Sequence, residues 1–348
     1  MKPKSVAPGP RFFRSDTMKL IKSALYDQFR CLAGACPDSC CQEWEVLVDD
    51  ASAARYLTLP SPLGDALREK LHQDEDGDYY LSITDRRCPM WRTDGLCEIQ
   101  SQLGHDGLCQ TCRDFPRLRH DYGNFVELGL ELSCPEAARL ILTAPPAAPI
   151  LTEIPGGEEP DYDRQTMDIL LRTRPVALEI LKNRPLPEAL ALLLLYSYSV
   201  QEELDGGEEA VSNPVADLAV AHRAAQAGDP QLLRDFYSSL EILTPRWAAL
   251  LEAPPLASQW SEALRAMARY GIGRYWLQAV SDFDLAARVK MIVAACILVR
   301  DLGGDPIQTA QLYSKEIENS ANNIDAILDA AYTSPAFTDV YLLGRLLT

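Results

Sequence analysis

Nine of the ten cysteines in this chain lie between positions 31 and 134, and they constrain the fold of its first half more than any other feature. They are Cys31, Cys36, Cys40, Cys41, Cys88, Cys97, Cys109, Cys112 and Cys134. The tenth, Cys296, stands alone in the rest of the sequence. Thiols at this density either form disulfides with one another or bind metal.

The compartment helps to decide between these two uses of the thiols. Residues 1–14 are basic but lack the apolar core of a secretory signal. The most apolar runs, 189–196 and 291–299, are far shorter than the roughly 20 residues that span a bilayer. We therefore expect a cytoplasmic protein without membrane insertion, in which thiols stay reduced.

Disulfides also fit the cysteine pattern poorly. The first half contains an odd number of thiols, and the neighbours Cys40 and Cys41 cannot pair with each other without a strained ring. Nine inert, buried thiols in so short a stretch would be unusual. The sequence therefore predicts a metal-binding segment, with all nine cysteines as candidate ligands.

The spacing leaves the identity of the metal open between zinc and iron–sulfur. Cys109 and Cys112 form a C-x2-C pair that suits a structural zinc site. A proline follows Cys36, Cys88 and Cys134, and proline often stands beside an iron–sulfur ligand. The prolines favour iron–sulfur over zinc.

Net charge limits the classes of partner. The formal net charge is −17 and the isoelectric point is about 4.7. Sequence-independent nucleic-acid binding needs a basic surface, so we expect no nucleic-acid partner. Basic partners, such as protein surfaces that carry lysine, remain compatible with this charge.

Hydrophobic patterning predicts a mainly α protein with an α+β N-terminal part. Four regions are predicted: an arm over 1–25, a cysteine-cluster domain with short strands over 26–144, a proline-rich linker over 145–166 and an α-helical domain over 167–348. The predicted helices of the last region are 167–181, 187–204, 215–227, 230–240, 258–270, 285–301 and 306–331.

Common catalytic motifs are missing from the sequence. The C-x3-C-x2-C motif of radical S-adenosylmethionine enzymes fails, because Cys41 directly follows Cys40. Neither a Walker sequence, a G-x-S-x-G nor an H-E-x-x-H is present, and Gly271-Ile-Gly273 indicates a turn rather than a nucleotide site. Local motifs alone therefore leave the reaction and the catalytic residues undetermined.

Several short motifs nevertheless resemble the bacterial flagellin lysine-N-methylase family. Most lie around the cysteines, and one lies near the C-terminus. They are Phe29-Arg30-Cys31, Cys36-Pro-Asp-Ser-Cys40-Cys41, Cys88-Pro89, Gly95-Leu96-Cys97, Leu108-Cys109-Gln-Thr-Cys112-Arg113, Glu131-Leu132-Ser133-Cys134-Pro135-Glu136 and Tyr313-Ser314-Lys315-Glu316-Ile317-Glu318-Asn319-Ser320. The element around Cys112 and Pro116 is also similar to zinc- or iron-chelating cysteine-cluster proteins.

This resemblance implies a function and its cofactors. It implies methyl transfer from S-adenosylmethionine to lysine amines of flagellin, and a [4Fe–4S] cluster bound among the nine cysteines. Four thiolates suffice for one cluster, so the resemblance does not say which of the nine bind it. Two other classes of function stay open: a non-catalytic zinc-binding interaction module, and an iron–sulfur redox or electron-transfer protein.

The predicted helix over 306–331 carries one further candidate surface. Glu316, Asn319 and Asn323 are spaced so that they share a face of this helix, opposite an apolar stripe. That face either lines a substrate cleft or is simply solvated. Composition favours the solvated interpretation.

Overall fold

The computed structural model describes residues 17–43, 45–254, 256 and 259–348. Trp44 and Ser258, the first residue of the predicted helix 258–270, lie outside these residues. Within the described chain, helices predominate and strands occur only before position 156. The predicted fold class, mainly α with an α+β N-terminal part, is confirmed.

Short strands build two sheets in the first half. The larger sheet has the order β5-β6-β1-β7, and the smaller one has the order β2-β4-β3. In the larger sheet β1 runs parallel to β6 and antiparallel to β7. The strands are β1 Thr17–Lys22, β2 Val46–Val48, β3 Leu71–Gln73, β4 Tyr79–Leu81, β5 Arg117–Asp121, β6 Phe125–Leu130 and β7 Ile150–Pro155.

Five helices accompany the strands, and a side-chain cap marks the start of the first one. Asp49 caps the first helix, because its carboxylate accepts a hydrogen bond from the Ser52 N–H. The same carboxylate accepts from the Gln110 N–H at 2.8 Å and so links two helices. These helices are α1 Asp50–Thr58, α2 Leu63–Lys70, α3 Glu98–Leu103, α4 Gln110–Asp114 and α5 Pro135–Thr143.

The second half is a helical assembly around one buried helix. Every residue of α12 except Arg300 is buried, and α7, α11, α13 and α14 surround it. Such a helix is mostly apolar around its whole circumference, although Arg288, Lys290 and Asp301 are also buried in it. The helices are α6 Arg164–Ile180, α7 Leu186–Leu204, α8 Pro214–Ala224, α9 Pro230–Ser238, α10 Pro245–Glu252, α11 Glu262–Tyr275, α12 Leu285–Leu302, α13 Pro306–Tyr313, α14 Ala321–Thr333 and α15 Asp339–Leu347.

The larger sheet and α5 share the apolar core of the helical half, whereas the smaller sheet packs on a core of its own. Strand β1 lies in the predicted arm and β7 in the predicted linker, and the two strands pair along their whole length. Helix α5 packs against α11 and α13, and its Ala138 and Leu142 belong to the same buried cluster as α12. The cysteine-bearing half is therefore held directly against the helical half.

Two sequence predictions about the helical half are wrong: the single helix over 306–331, and the turn at Gly271-Ile-Gly273, which lies inside α11. Helix α13 continues into a π-helical turn, Ser314–Glu318, and α14 begins afresh because the Ser320 side chain caps it. The predicted solvated face is also wrong for Glu316 and Asn323, which are buried, whereas Asn319 is exposed. Glu316 accepts a hydrogen bond from the Leu243 N–H, and Asn323 donates one to the Glu241 carbonyl. Both side chains therefore hold the loop between α9 and α10 in place.

In the described part of the chain, no helix combines the length and the apolar character needed to cross a membrane.

Candidate metal centre and the buried polar cluster beside it

Most of the predicted cysteine ligands surround one cavity, which we call the cysteine cavity. Its volume is about 300 Å³. The cysteines that line it are Cys31, Cys36, Cys40, Cys41, Cys97, Cys112 and Cys134. The remaining two, Cys88 and Cys109, are buried nearby in the apolar core beneath the smaller sheet. The fold thus gathers residues that are up to a hundred positions apart.

Electrostatic influence divides the nine thiols into two groups that meet at Cys40 and Cys41. The pKa of Cys134 is raised to about 11, chiefly by burial and additionally by Cys36 and Cys31. The pKa of Cys88 is raised to about 12, chiefly by burial and additionally by Cys41, Cys97 and Cys109. We call Cys31, Cys36, Cys40 and Cys134 the first thiol group, and Cys41, Cys88, Cys97, Cys109 and Cys112 the second.

Three of these cysteines stand at helix N-termini. Cys97, Cys109 and Cys134 are the residues immediately before α3, α4 and α5. Burial raises the pKa of Cys97, and backbone N–H groups of the first turn of α3 lower it. For Cys134 the N–H groups of α5 act in the same direction against burial. A helix N-terminus favours the thiolate, which is the form that binds metal.

Two pairs of thiols are each linked by a hydrogen bond, Cys40 with Cys41 and Cys109 with Cys112. A hydrogen bond from Cys40 lowers the pKa of Cys41 to about 7, and a hydrogen bond from Cys112 lowers the pKa of Cys109 to about 7. In each pair the donating thiol has its pKa raised. In each pair the hydrogen bond therefore favours ionisation of the accepting thiol.

The many thiols of the cysteine cavity suit a metal group bound by thiolates. They line the cavity wall, however, and do not meet at one point. All ten cysteines lie in the described chain, and each is a free thiol. Among the residues described, no three side chains of the types Cys, His, Asp and Glu stand together closely enough to bind a metal ion as they are. His105, a conceivable fourth ligand, borders the cavity but is exposed.

A buried ion pair connects the cysteine cavity to the helical half. Asp38, in the loop between Cys36 and Cys40, accepts hydrogen bonds from Lys315 at 2.6 Å and from Gln311 at 2.8 Å. The side chain of Lys315 is only 2% exposed. Gln311 also donates to the Ser133 carbonyl at 2.7 Å. Helix α13 and its π turn thus hold two separate parts of the first thiol group.

The same π turn carries a second polar assembly, which we call the Tyr–Glu cluster: Tyr270, Arg274, Tyr275, Ser314 and Glu318. The Glu318 carboxylate accepts hydrogen bonds from the hydroxyls of Tyr270 and Tyr275, each at 2.8 Å, and from Ser314. Arg274 lies 3.5 Å from this carboxylate. Burial raises the pKa of both tyrosines. The cluster is therefore a paired and largely satisfied set of buried charges.

The sequence places Glu318 in the motif from Tyr313 to Ser320 but does not identify its partners. The available signal is the spacing of Tyr270, Arg274 and Tyr275, since residues four or five apart lie on neighbouring faces of a helix. Nothing in that spacing indicates which carboxylate the three side chains would meet.

Sequence comparison finds relatives of this chain in Salmonella. The chain is 30% identical over 150 residues to the flagellar biosynthetic protein FliU of Salmonella muenchen, a match that covers 41% of this chain and 85% of that protein. The chain belongs to the FliU family.

Two further relatives carry the name Lysine-N-methylase. The proteins of that name from Salmonella typhimurium and Salmonella choleraesuis are each 32% identical to this chain over 130 residues. These matches cover 36% of this chain and 32% of each relative, so the chain spans about a third of their length. No family model matches the chain, and no solved structure matches it.

Proposed function

We propose that this protein is a protein-lysine N-methyltransferase that acts on flagellin, uses S-adenosylmethionine as the methyl donor and binds a [4Fe–4S] cluster in the cysteine cavity. The observation that carries the proposal is the similarity to proteins named Lysine-N-methylase and FliU. The net charge of −17 supports it, because an acidic protein attracts a lysine-bearing substrate at long range.

The first thiol group is our candidate for the cluster ligands. Its four members, Cys31, Cys36, Cys40 and Cys134, match the four thiolates that one cluster takes, and all four line the cavity. When bound, such a cluster supplies a redox-active centre. The chain's own contribution is to position the ligands: Asp38 fixes the loop between Cys36 and Cys40 through Lys315, and α5 orients Cys134.

Mass spectrometry of flagellin tests the methyltransferase proposal. Flagellin is incubated with the metal-replete protein and S-adenosylmethionine, under oxidising and under reducing conditions, and its lysines are then mapped. We expect lysines to gain methyl groups. If no lysine gains one under either condition, the proposal is wrong.

Metal analysis tests the cluster separately. Anaerobically purified protein should contain iron and acid-labile sulfide and absorb broadly in the visible range. Cys36→Ala should lose this absorbance, whereas Cys296→Ala, a matched control in the core of α12, should keep it. Colourless protein with stoichiometric zinc would instead support the zinc-binding module.

A further inference from the structure

A second cavity lies between the larger sheet and helices α6 and α11, and we call it the sheet cavity. Its volume is about 310 Å³. Most of its wall is apolar and comes from β1, β5, β6, α5 and α6. The apolar residues include Ile21, Leu118, Leu128, Leu130, Ile141 and Leu178. A pocket of this size with mostly apolar walls and a few polar groups is typical of a binding site.

The polar groups of the sheet cavity are already paired, with one exception. Arg174 donates to both carboxylate oxygens of Glu127, at 2.9 and 2.6 Å. Arg274 donates to the Tyr270 hydroxyl at 2.6 Å and belongs to the Tyr–Glu cluster. The exception is His120 on β5, whose Nε2 atom is buried and has no hydrogen-bond partner among the described residues. A buried polar atom without a partner calls for an explanation, and in a cavity a bound ligand group supplies one.

The surroundings of His120 favour its neutral form over the protonated one. Burial lowers the pKa of His120, and the positive charge of Arg274 lowers it further, against the opposite influence of Glu127. A neutral imidazole carries one nitrogen that accepts a proton. The cavity therefore offers one potential base among groups that are otherwise neutralised.

Two glycines leave open space in the cavity wall. Gly129 on β6 and Gly273 on α11 both line the cavity. A Cβ atom added at either position would meet no heavy atom within 4 Å. Neither glycine has a positive φ, so the backbone would accept a side chain at both positions. The effect of glycine there is to leave space in the cavity.

We propose that the sheet cavity binds the target lysine side chain of the protein substrate and that His120 Nε2 accepts the proton from its ε-amine. This inference rests on the proposed methyltransferase function. The apolar walls suit the four-carbon stem of lysine. Burial between apolar walls disfavours a cation, so it favours the neutral amine, which is the nucleophilic form.

The reaction balances with the methyl donor already proposed. The lysine ammonium transfers one proton to His120 Nε2 and becomes a neutral amine. Its nitrogen lone pair then forms the N–C bond while the S–CH3 bond of the sulfonium donor breaks. The donor leaves as a neutral thioether, the methylated lysine carries the positive charge, and His120 returns its proton to water.

Filling the cavity tests the binding part of this inference. Gly273→Leu places a large side chain in the open space, and leucine is a better helix residue than glycine, so the protein should stay folded. We expect this variant to bind a single-lysine flagellin peptide about ten-fold more weakly or worse. Gly273→Ala, which adds one carbon, is the matched control and should bind within about two-fold of wild type.

Replacing the proposed base tests the chemical part. His120→Gln should lower kcat for lysine methylation about 100-fold while peptide binding stays unchanged. The matched control is His222→Gln, at an exposed position on α8, and it should leave both quantities unchanged. Unchanged kcat in His120→Gln would overturn the assignment of the base.

The two readouts separate this inference from the proposed function. Methylation by wild type that persists in Gly273→Leu would overturn the cavity assignment and leave the methyltransferase proposal intact. Peptide binding by wild type that is lost in Gly273→Leu, without any methylation, would support the lysine cavity and overturn the proposed function. A wild type that neither binds nor methylates would overturn both.

Discussion

The cysteine cavity and the Tyr–Glu cluster are both joined to the π turn after α13, but they are built in opposite ways. Lys315 reaches the cysteine loop, whereas Ser314 and Glu318 reach the tyrosines of α11. The Tyr–Glu cluster pairs its buried charges within the protein. The cysteine cavity gathers thiols that repel one another once ionised. The cysteine cavity should therefore need a bound metal group to be ordered, whereas the Tyr–Glu cluster should not.

Metal removal should produce the largest difference between the two regions. A structural metal bound by thiolates contributes on the order of 10 kcal/mol to folding. Chelation should therefore abolish amide protection in residues 31–41 and in the first turn of α5, while α7 and α12 keep theirs. Hydrogen-exchange mass spectrometry with and without chelator measures this. Equal protection of these two segments in both samples would contradict a metal-dependent first half.

Lys315→Met should have the next largest effect, because it removes the cation from a buried ion pair. Breaking such a pair costs about 3 kcal/mol. Asp38 and Lys315 side chains are 19% and 2% exposed, so solvent relieves little of this cost. The double variant Asp38→Asn with Lys315→Met should recover part of the loss. Chemical denaturation measures the free energy of unfolding.

A matched exposed pair serves as the control for that variant. Lys182 and Glu179 form an ion pair whose side chains are 54% and 61% exposed. Lys182→Met should leave the free energy of unfolding unchanged, since solvent screens such pairs. A similar loss in both variants would mean that the burial of Lys315 is not what matters.

Glu318→Gln should destabilise the Tyr–Glu cluster by about 2 kcal/mol, because Arg274 would remain buried without its carboxylate. The loss should be the same with and without bound metal, in contrast to variants of the cysteine cavity. Thermal unfolding of metal-loaded and metal-free protein compares the two conditions. Glu209→Gln, at an exposed position, is the control and should unfold like wild type.

Glu131→Gln should change the free energy of unfolding least, and the change should depend on pH. Burial raises the pKa of Glu131, so the folded protein holds this proton more tightly than the unfolded chain. The resulting stabilisation is present below the unfolded pKa of about 4.3 and is lost as the pH rises through the folded pKa. Glutamine mimics the protonated side chain. Glu131→Gln should therefore be more stable than wild type at pH 7, and the difference should vanish toward pH 4.

Local sequence signals predicted the starts of several helices in the second half. Pro230 and Leu285 are the first residues of α9 and α12, as predicted. Helices α10 and α15 were missed, although Thr244 and Thr338 cap them. The break between α13 and α14 was also missed, because the apolar period continues through Ser320.

The sequence by itself determined that the first half contains a dense set of thiols and that the second half is helical. Both follow from residue type and from spacing within a few positions. Only the tertiary structure decided which thiols share a group, and that His120, Tyr270 and Glu318 lie near one another. Local patterns constrain neighbours within about one helical turn, whereas the packing of β5, α11 and the π turn joins residues up to 198 positions apart.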